Sequence, residues 1–231
     1  MTAPVEAVLL DVGGVFMVPA HEPILGALGR YGVQAADLDR AHYAAVAALD
    51  ALGRVHWPAY VDGYVRAAGV PDDSVAEAAA ALAEVFDTAE DLWSRVLPGS
   101  VEALVRLAAT GVPLGIVSNS DGTVEAALVA RRVCQVGAGE GTQVAVVVDS
   151  HLAGIEKPDP GIFAIALESL GVDPAHALHV GDTACADVAG ARAAGIRAVH
   201  LDPHRLCPDP TDHDHARSLD DVTALVLRTG P

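Results

Sequence analysis

The stretch Val5-Glu6-Ala7-Val8-Leu9-Leu10-Asp11-Val12-Gly13-Gly14 decides the fold of this chain. Its run of apolar residues predicts a buried β-strand, and the two glycines predict a tight turn directly after it. Asp11 stands between the strand and the turn. In an open parallel α/β sheet, ligands bind at the carboxyl ends of the strands. The stretch therefore predicts such a sheet, with Asp11 at the edge that carries the function.

Two later segments repeat this arrangement of an apolar run followed by polar residues. These are the run at 112–117 with Ser118 and Asn119, and the run at 177–180 with Gly181 and Asp182. Lys157 lies between them, in the segment Glu156-Lys157-Pro158-Asp159-Pro160. Any one of the polar residues alone is explained equally well as a helix cap or a turn residue. Their recurrence in this order predicts that they converge on one crevice.

The chain outside residues 20–97 alternates between strand-like and helix-like segments. The predicted strands lie near 6–11, 112–118, 143–149, 177–181 and 196–201. The predicted helices are Val101–Thr110, Gly122–Ala130, Ile162–Leu170, Asp187–Ala194 and a last one near 219–227. Such alternation is typical of a parallel sheet with helices on both faces. We predict an α/β fold class with a Rossmann-like sheet.

Residues from about 20 to 97 have a different pattern, without a convincing strand. Helices are predicted near 22–31, 36–52, 57–69 and 73–87. In the second of these, apolar residues recur at intervals of three and four, as one buried helical face requires, namely Leu38, Ala41, Ala45, Leu49 and Leu52. We therefore predict an α/β core from residues 1–17 and 97–231, and a small all-helical domain from residues 18–96.

Composition and charge exclude several classes of function. Thirty-one acidic and 14 basic residues give a formal charge of −17, without a basic stripe to offset it. This charge repels nucleic acid and anionic membranes, so neither is expected as a partner. No apolar run is long enough to span a membrane, and the N-terminus lacks a signal-peptide pattern. Three cysteines (Cys134, Cys185 and Cys207) without metal-binding spacing are expected to be reduced thiols of a cytoplasmic protein.

The order and spacing of the polar residues resemble the haloacid dehalogenase superfamily, and within it the phosphatases that carry a helical cap of the first (C1) type. The resemblance covers the whole chain. It rests on Asp11 after the first strand, on Ser118 after an apolar strand, on Lys157 in a Lys-Pro-Asp-Pro segment, and on a Gly-Asp-x-x-x-x-Asp frame at 181–187. It implies that residues 18–96 are the cap.

The resemblance also implies an activity and a set of site residues. The expected enzyme is a Mg²⁺-dependent phosphatase that acts on a small phosphorylated metabolite through an aspartyl-phosphate on Asp11. Ser118 and Lys157 are implied as catalytic partners that bind the phosphate. The implied substrate-binding residues are Val12, Gly13, Ser118, Asn119 and Lys157, and the implied metal ligands are Asp11, the carbonyl of Gly13, Asp182 and Asp187. Mg²⁺ prefers carboxylates together with water and substrate oxygens, which agrees with this set.

Gly13 departs from the family pattern, in which most phosphatases have a second aspartate two residues after the first. That aspartate protonates the leaving oxygen and then activates water. Such acid–base help contributes about 10²–10⁴ in rate. Three consequences remain open: a slow enzyme, a preference for leaving groups that need little protonation, or a substitute residue. His21 and Asp121 are the candidates for the substitute, although each is also explained as a hinge or surface residue.

Two alternative functions remain. Haloacid dehalogenases also lack the second aspartate and use the first one without a metal, but they do not usually carry the frame found at 181–187. Asp182 would also bring an uncompensated negative charge towards an anionic haloacid. The second alternative is a catalytically weak protein that binds a phosphorylated ligand or a partner. Activity on a phosphate ester with Mg²⁺, or halide release without metal, distinguishes these possibilities.

Other residues in the sequence are interpreted structurally. Trp57, Tyr60 and Tyr64 lie at helical spacing and are interpreted as an aromatic core stripe, with Arg54 and Arg66 solvated beside it, rather than as a substrate-facing surface. The stretch Asp212-His213-Asp214-His215 suggests a metal site, but without a third ligand nearby it is interpreted as a solvated loop. With an aromatic content of only 4%, there is little basis for an interface, and we expect a monomer or a homodimer.

Overall fold

The computed structural model describes residues 4–229 and contains a central parallel sheet. Its strands, numbered along the chain with those of two smaller sheets, are β1 Ala7–Leu10, β2 Met17–Val18, β3 Arg95–Val96, β4 Leu114–Ser118, β5 Cys134–Val136, β6 Thr142–Val144, β7 Val146–Asp149, β8 Ala177–Gly181, β9 Arg197–Leu201 and β10 Asp214–Ala216. The helices are α1 His21–Leu28, α2 Ala35–Leu52, α3 Trp57–Ala67, α4 Val75–Thr88, α5 Ser100–Ala108, α6 Val124–Ala130, α7 Ser150–Ala153, α8 Gly161–Leu170, α9 Ala189–Ala193 and α10 Leu219–Thr229. Within residues 4–229, no helix combines the length and the hydrophobicity that crossing a membrane requires.

The main sheet has six parallel strands in the order β10-β9-β8-β1-β4-β7. Strands β1, β4 and β8 are buried along their whole length because helices cover both faces of the sheet. One face packs against Leu104 and Leu107 of α5 and Val222 of α10. The other face packs against Phe163 of α8 and Ala191 of α9. The predicted α/β fold class is confirmed.

Helices α1 to α4 pack around an apolar cluster of their own, separate from the two clusters that flank the sheet. Leu38, Ala41, Ala45 and Leu49 of α2 belong to this cluster, as their spacing predicts. Leu52, predicted on the same buried face, is 52% exposed because it is the last residue of the helix. The segments that lead into and out of the helices pair as the antiparallel strands β2 and β3, with Met17 opposite Val96. These short strands lie at the two predicted boundaries, 17/18 and 96/97. The division into two domains at those residues remains a prediction.

Two local expectations from the sequence are wrong, and one strand was not predicted. The strand predicted at 143–149 is two strands, of which β6 pairs with β5 in a small separate sheet and only β7 joins the main sheet. The helix predicted from 187 begins instead with a turn of π-helix at Ala184–Val188. β10, which lies where no strand was predicted, adds an edge strand to β9. The strand pairings depend on tertiary structure, which apolar periodicity does not report.

Candidate active site

The register of the central strands brings three predicted site residues to one edge of the sheet. Leu10 of β1 lies opposite Ile116 of β4 and opposite Val180 of β8. Asp11 follows Leu10, and its backbone N–H donates to the carbonyl of Val180 over 2.9 Å. Ser118 and Asp182 therefore lie on either side of Asp11, at the carboxyl ends of the neighbouring strands. This is the edge at which open parallel sheets bind ligands.

Lys157 is buried at this edge and joins two of the carboxylates. Its Nζ lies 2.8 Å from Oδ1 of Asp11 and 2.7 Å from Oδ1 of Asp187, and it also donates to the carbonyl of Val117 over 3.1 Å. The attraction of the two carboxylates outweighs burial and raises the pKa of Lys157 above its usual value. The ammonium is therefore a fixed positive charge at the strand ends.

Asn119 positions Lys157 through the backbone. The side-chain amide of Asn119 donates to the carbonyl of Lys157 over 3.0 Å, and the Lys157 N–H donates to Oδ1 of Asn119 over 2.8 Å. The pair of hydrogen bonds fixes the loop on which Lys157 lies. The side chain of Asn119 is thus used for the scaffold, and its predicted contact with substrate is through its backbone N–H.

Asp187 lies in the π-helical turn, and its carboxylate is held by several donors. Oδ1 accepts from Lys157 and, over 2.9 Å, from Nε2 of His179, while Oδ2 accepts from the backbone N–H of Thr183 over 3.1 Å. Burial opposes its charge, but Lys157 and His179 together lower the pKa of Asp187 below its usual value. A Cβ on Gly181 would lie 2.1 Å from Cγ of Asp187, so only glycine leaves room for this carboxylate.

The three aspartates form a carboxylate cluster, the name used below for Asp11, Asp182 and Asp187. One oxygen from each lies within 4.8 Å of the others, and all three residues are buried. Burial raises the pKa of Asp11 to about 7, and the charges of Asp187 and Asp182 act in the same direction against the opposing effect of Lys157. Although Lys157 Nζ is close, Oδ1 of Asp11 receives no well-directed hydrogen bond from residues 4–229. One ammonium thus leaves negative charge uncompensated, and this set of oxygens fits a hard divalent cation.

Asp182 occupies its position because Gly14 lacks a side chain. Gly14 has a φ of +62°, which favours glycine, and a Cβ there would lie 2.0 Å from Oδ2 of Asp182. Oδ1 of Asp182 accepts from the hydroxyl of Thr183 over 3.0 Å. The second glycine of the opening stretch is therefore needed both for the turn and for the approach of this carboxylate.

His42 is a site residue that the sequence analysis missed. It projects from α2 and is buried, with Nε2 at 2.9 Å from Oδ2 of Asp182 and Nδ1 at 2.8 Å from the hydroxyl of Tyr60. Nearby, Tyr43 donates its hydroxyl to the carbonyl of Gly14 over 2.6 Å. These bonds link the helical layer to the sheet edge. The signal available in the sequence was that His42 is a polar residue next to the apolar face of α2. That position does not show which residues the imidazole contacts.

Gly13 has space for a side chain. A Cβ there would lie 3.6 Å from Cζ3 of Trp93 and 4.0 Å from Oδ2 of Asp11, both ordinary contact distances. In this chain the ring of Trp93 occupies the neighbouring space, and it also lies edge-on to His42, with 5.6 Å between ring centroids. The backbone N–H groups of Val12 and Gly13 donate to no acceptor in the part of the chain that the structure describes. They are therefore available to an anion at the turn.

The two substitutes suggested for the missing aspartate are engaged elsewhere. His21 lies 2.7 Å from Oδ1 of Asp39, which also accepts from Arg95 over 2.9 Å. Asp121 accepts from the backbone N–H and the hydroxyl of Thr123, over 3.1 and 2.6 Å. The structure thus supports the interpretation of His21 as a hinge residue and of Asp121 as a turn residue.

The aromatic residues of α3 follow the structural interpretation. Tyr60 and Tyr64 are buried, and Trp57 stacks on Tyr60 with 4.9 Å between ring centroids. Arg66 is half exposed and pairs with Asp62 on its own helix. Tyr60 and Tyr64 therefore belong to the core of the helical layer, whereas Trp57 lies at its edge and is 38% exposed. The Tyr60 hydroxyl also supports His42.

Comparisons with known proteins agree with this architecture. The chain matches the haloacid dehalogenase-like hydrolase family over residues 5–195. It is similar to phosphoserine phosphatase of Thermus thermophilus, with 47% identity over 75 residues that cover 32% of this chain and 30% of the relative. It is also similar to the mouse haloacid dehalogenase-like hydrolase domain-containing protein 3, with 34% identity over 63% of this chain and 55% of the relative.

The matches therefore span from less than a third to about half of the length of these relatives. Among solved structures, a 2-haloacid dehalogenase from Pseudomonas syringae superposes with a TM-score of 0.57 at 23% identity, over 97% of this chain and 99% of the other. That likeness concerns the fold alone. Because the family match extends over most of the chain and agrees with the strand order and the site, the protein belongs to the haloacid dehalogenase-like hydrolases.

Proposed function

We propose that this hydrolase is a Mg²⁺-dependent phosphatase that acts on a small phosphorylated metabolite. The observation that carries the proposal is the carboxylate cluster, which lies beside the buried Lys157 and next to a turn whose Val12 and Gly13 N–H groups donate to no acceptor among residues 4–229. A phosphate monoester carries two negative charges, and a carboxylate attacks it only where these charges are neutralised. Lys157 supplies one positive charge. Mg²⁺, held by Asp11, Asp182, Asp187 and the carbonyl of Gly13, would supply the remaining charge neutralisation when bound.

The chain's own residues then carry the bond changes. Asp11 attacks phosphorus, so that its oxygen forms a bond to phosphorus as the bond to the leaving oxygen breaks. The hydroxyl of Ser118 and the N–H groups of Val12 and Gly13 donate to the phosphoryl oxygens. Water then attacks the aspartyl-phosphate and releases inorganic phosphate, which regenerates Asp11. Lys157 holds the phosphate during both steps, so positioning and charge account for most of the rate.

His42 is proposed as the proton donor that replaces the aspartate absent at position 13. The imidazole is on the helical layer, contacts Asp182 of the carboxylate cluster and lies beside Trp93, which covers Gly13. In its doubly protonated form, with Nδ1–H donated to the Tyr60 hydroxyl, the ring would give its Nε2 proton to the leaving oxygen, and the neutral ring would then accept a proton from the attacking water. The Tyr60 hydroxyl on Nδ1 orients the ring. Neither His21 nor Asp121 has such a contact.

Similarity to a phosphoserine phosphatase supports a phosphate ester as the substrate. The resemblance to a haloacid dehalogenase at 23% identity concerns the fold and does not favour dehalogenation. Buried Asp182 also argues against a metal-free haloacid site, since it adds negative charge where an anionic substrate would bind. The phosphatase is therefore the function that the site supports best.

The test is phosphate release from a panel of esters, with and without Mg²⁺. The panel pairs activated substrates (an aryl phosphate and acetyl phosphate) with glycerol phosphate, a poor leaving group. Asp11→Asn removes the proposed nucleophile, and Asp121→Asn serves as a matched control because it changes an exposed aspartate outside the cluster. Mg²⁺-dependent release that is lost only in Asp11→Asn supports the proposal. Halide release from a haloacid without metal, or no turnover of any substrate, overturns it.

A further inference from the structure

Four metal-binding side chains converge on the far side of Asp182, away from the carboxylate cluster. They are His200 at the end of β9, Cys207 in the loop that follows, His213 just before β10 and His215 within it. One ligand atom from each lies within 4.8 Å of the other three. We call this set the histidine–cysteine cluster. It corrects the interpretation of residues 212–215 as a solvated loop without further ligands, because tertiary structure supplies the missing ones.

The pairing of two strands creates the cluster. β10 runs parallel to β9, and its register places His215 directly opposite His200. His213 is two residues before His215, so both side chains point to the same face of the edge strand. The intervening loop brings Cys207 to the same place, since the N–H of Cys207 donates to Oδ2 of Asp202 over 3.0 Å. The Sγ of Cys207 lies 3.6 Å from Nε2 of His213.

The hydrogen bonds of the three imidazoles define which nitrogens are available. Nε2 of His200 lies 2.7 Å from the carbonyl of Asp182, and Nδ1 of His215 lies 2.9 Å from the carbonyl of His213. Because a carbonyl only accepts, both of these nitrogens carry the proton. The lone pairs are then on Nδ1 of His200 and Nε2 of His215. Metal-binding histidines commonly have their second nitrogen fixed by an oxygen in this way.

Nε2 of His213 faces Nδ1 of His200 at 2.9 Å and Sγ of Cys207 at 3.6 Å. Nδ1 of His213 lies 3.4 Å from a carboxylate oxygen of Asp212. In the metal-free protein, a proton on Nε2 of His213 would bridge to the lone pair of His200. A metal ion can take the place of this proton, because the two imidazole nitrogens and a thiolate all offer lone pairs to it.

We propose that His200, Cys207, His213 and His215 bind one divalent transition-metal ion of the zinc class. A tetrahedral zinc centre separates two ligand nitrogens by roughly 3.3 Å and a nitrogen from a thiolate by roughly 3.6 Å. The two separations that involve Nε2 of His213 are 2.9 and 3.6 Å, close to these values, and all four ligand atoms lie within 4.8 Å of one another. Three imidazoles and a thiolate select zinc or a similar ion over Mg²⁺, which prefers oxygen ligands.

The surroundings of the cluster also favour a cation. Asp50, Asp202 and Asp209 all contribute negative potential at Cys207. Arg192 donates to the carboxylate of Asp212 over 2.6 Å and so positions the oxygen behind His213. A surface cavity of about 200 Å³ is lined by Cys207, Asp212 and His213 and provides a path for the ion. Through His200, the bound ion would anchor the backbone of Asp182 and close the loop 202–213 against β9.

The test measures metal content of untagged protein after dialysis against a weak chelator. Wild type is expected to retain about one zinc ion per chain. The variants Cys207→Ser and His213→Ala are expected to bind zinc at least about 100-fold more weakly than wild type. His204→Ala is the matched control, since this exposed histidine lies in the same loop outside the cluster. Asp11→Asn is expected to retain its zinc, because the carboxylate cluster takes no part in binding it. Zinc content therefore tests this proposal even if the proposed phosphatase function is wrong.

Cobalt provides the second readout. Co²⁺-loaded wild type is expected to show tetrahedral visible bands and a thiolate-to-cobalt charge-transfer band, with the latter lost in Cys207→Ser. Circular dichroism identifies any variant that fails to fold. If a variant does not fold, the presence or absence of the thiolate-to-cobalt band in the wild-type protein tests the proposal instead. Wild-type protein that retains no zinc and gives no thiolate band overturns the proposal. Equal zinc retention by wild type and by folded Cys207→Ser and His213→Ala would also overturn it.

Discussion

The carboxylate cluster and the histidine–cysteine cluster, which meet at Asp182, differ in chemistry and in the elements that supply their residues. The carboxylate cluster offers hard oxygens from residues that follow strands β1 and β8, and a buried lysine compensates part of its charge. The histidine–cysteine cluster offers nitrogen and sulfur from β9, β10 and the loop between them. The first uses the side chain of Asp182, whereas the second contacts its backbone carbonyl. A single residue therefore connects a proposed reaction site with a proposed structural metal site.

This difference indicates how the two sites should respond to change. The carboxylate cluster is crowded with like charges, so it is adapted to a labile cation that arrives together with an anionic substrate. The histidine–cysteine cluster has preoriented imidazoles, so it is adapted to an ion that stays and stabilises the fold. The predictions below change the carboxylate cluster or its surroundings, and the first of them also measures the histidine–cysteine cluster.

Removing the nucleophile is expected to have the largest effect. Asp11→Asn should lower phosphate release at least about 10³-fold, because the amide cannot form the aspartyl-phosphate. The measurement is single-turnover phosphate release with Mg²⁺ present, alongside zinc content. Retained zinc would show that the two sites bind independently. Activity within a factor of about ten of wild type would contradict the assignment of Asp11 as nucleophile.

Removing the proposed proton donor should have the next largest effect. His42→Asn is expected to reduce turnover of glycerol phosphate about 10²-fold and that of an aryl phosphate much less, since a good leaving group needs no proton. His21→Asn is the matched comparison, because His21 pairs with Asp39 away from the site. Equal losses on both substrates would assign His42 a role in holding Asp182 rather than in proton transfer. The pH profile of turnover provides the second readout.

Restoring the missing aspartate is expected to have a moderate effect. Gly13→Asp should increase turnover of glycerol phosphate roughly tenfold, near the lower part of the range for acid–base help. The Cβ fits at 3.6 Å from Trp93, so the variant should fold. The increase should be larger in the His42→Asn background, which lacks the competing donor. An unchanged rate in both backgrounds would show that proton transfer does not limit this enzyme.

The smallest predicted effect concerns pH and Mg²⁺. The pKa of Asp11 is about 7 in the fold, above its unfolded value of about 4, so the metal-free protein loses stability as pH rises between these values. Mg²⁺ binds the ionised carboxylate, so its stabilisation should be about 1 kcal/mol greater near pH 8 than near pH 5.5. Melting temperatures with and without Mg²⁺ at both pH values test this. A stabilisation that does not change with pH would place the cation away from Asp11.

Much of the candidate active site was predictable because several of its residues lie at the ends of elements that local sequence defines. Asp11, Ser118 and Asp182 follow apolar runs, and parallel strands necessarily bring their carboxyl ends to one edge. The position of Lys157 against Asp11 and Asp187 followed from the family resemblance rather than from periodicity. Asn119 was expected to contact substrate, and the structure shows its side chain holding the Lys157 loop.

The sequence by itself determined the α/β fold class, the helical insert and the order of the acidic residues, because apolar periodicity and strand ends are local properties. Only the tertiary structure decided the partners of His42 and the assembly of His200, Cys207, His213 and His215. His42 meets Asp182 across 140 residues, and His200 meets His213 only because β10 pairs with β9 in one register. Such contacts depend on packing and register between distant segments, which no local pattern specifies.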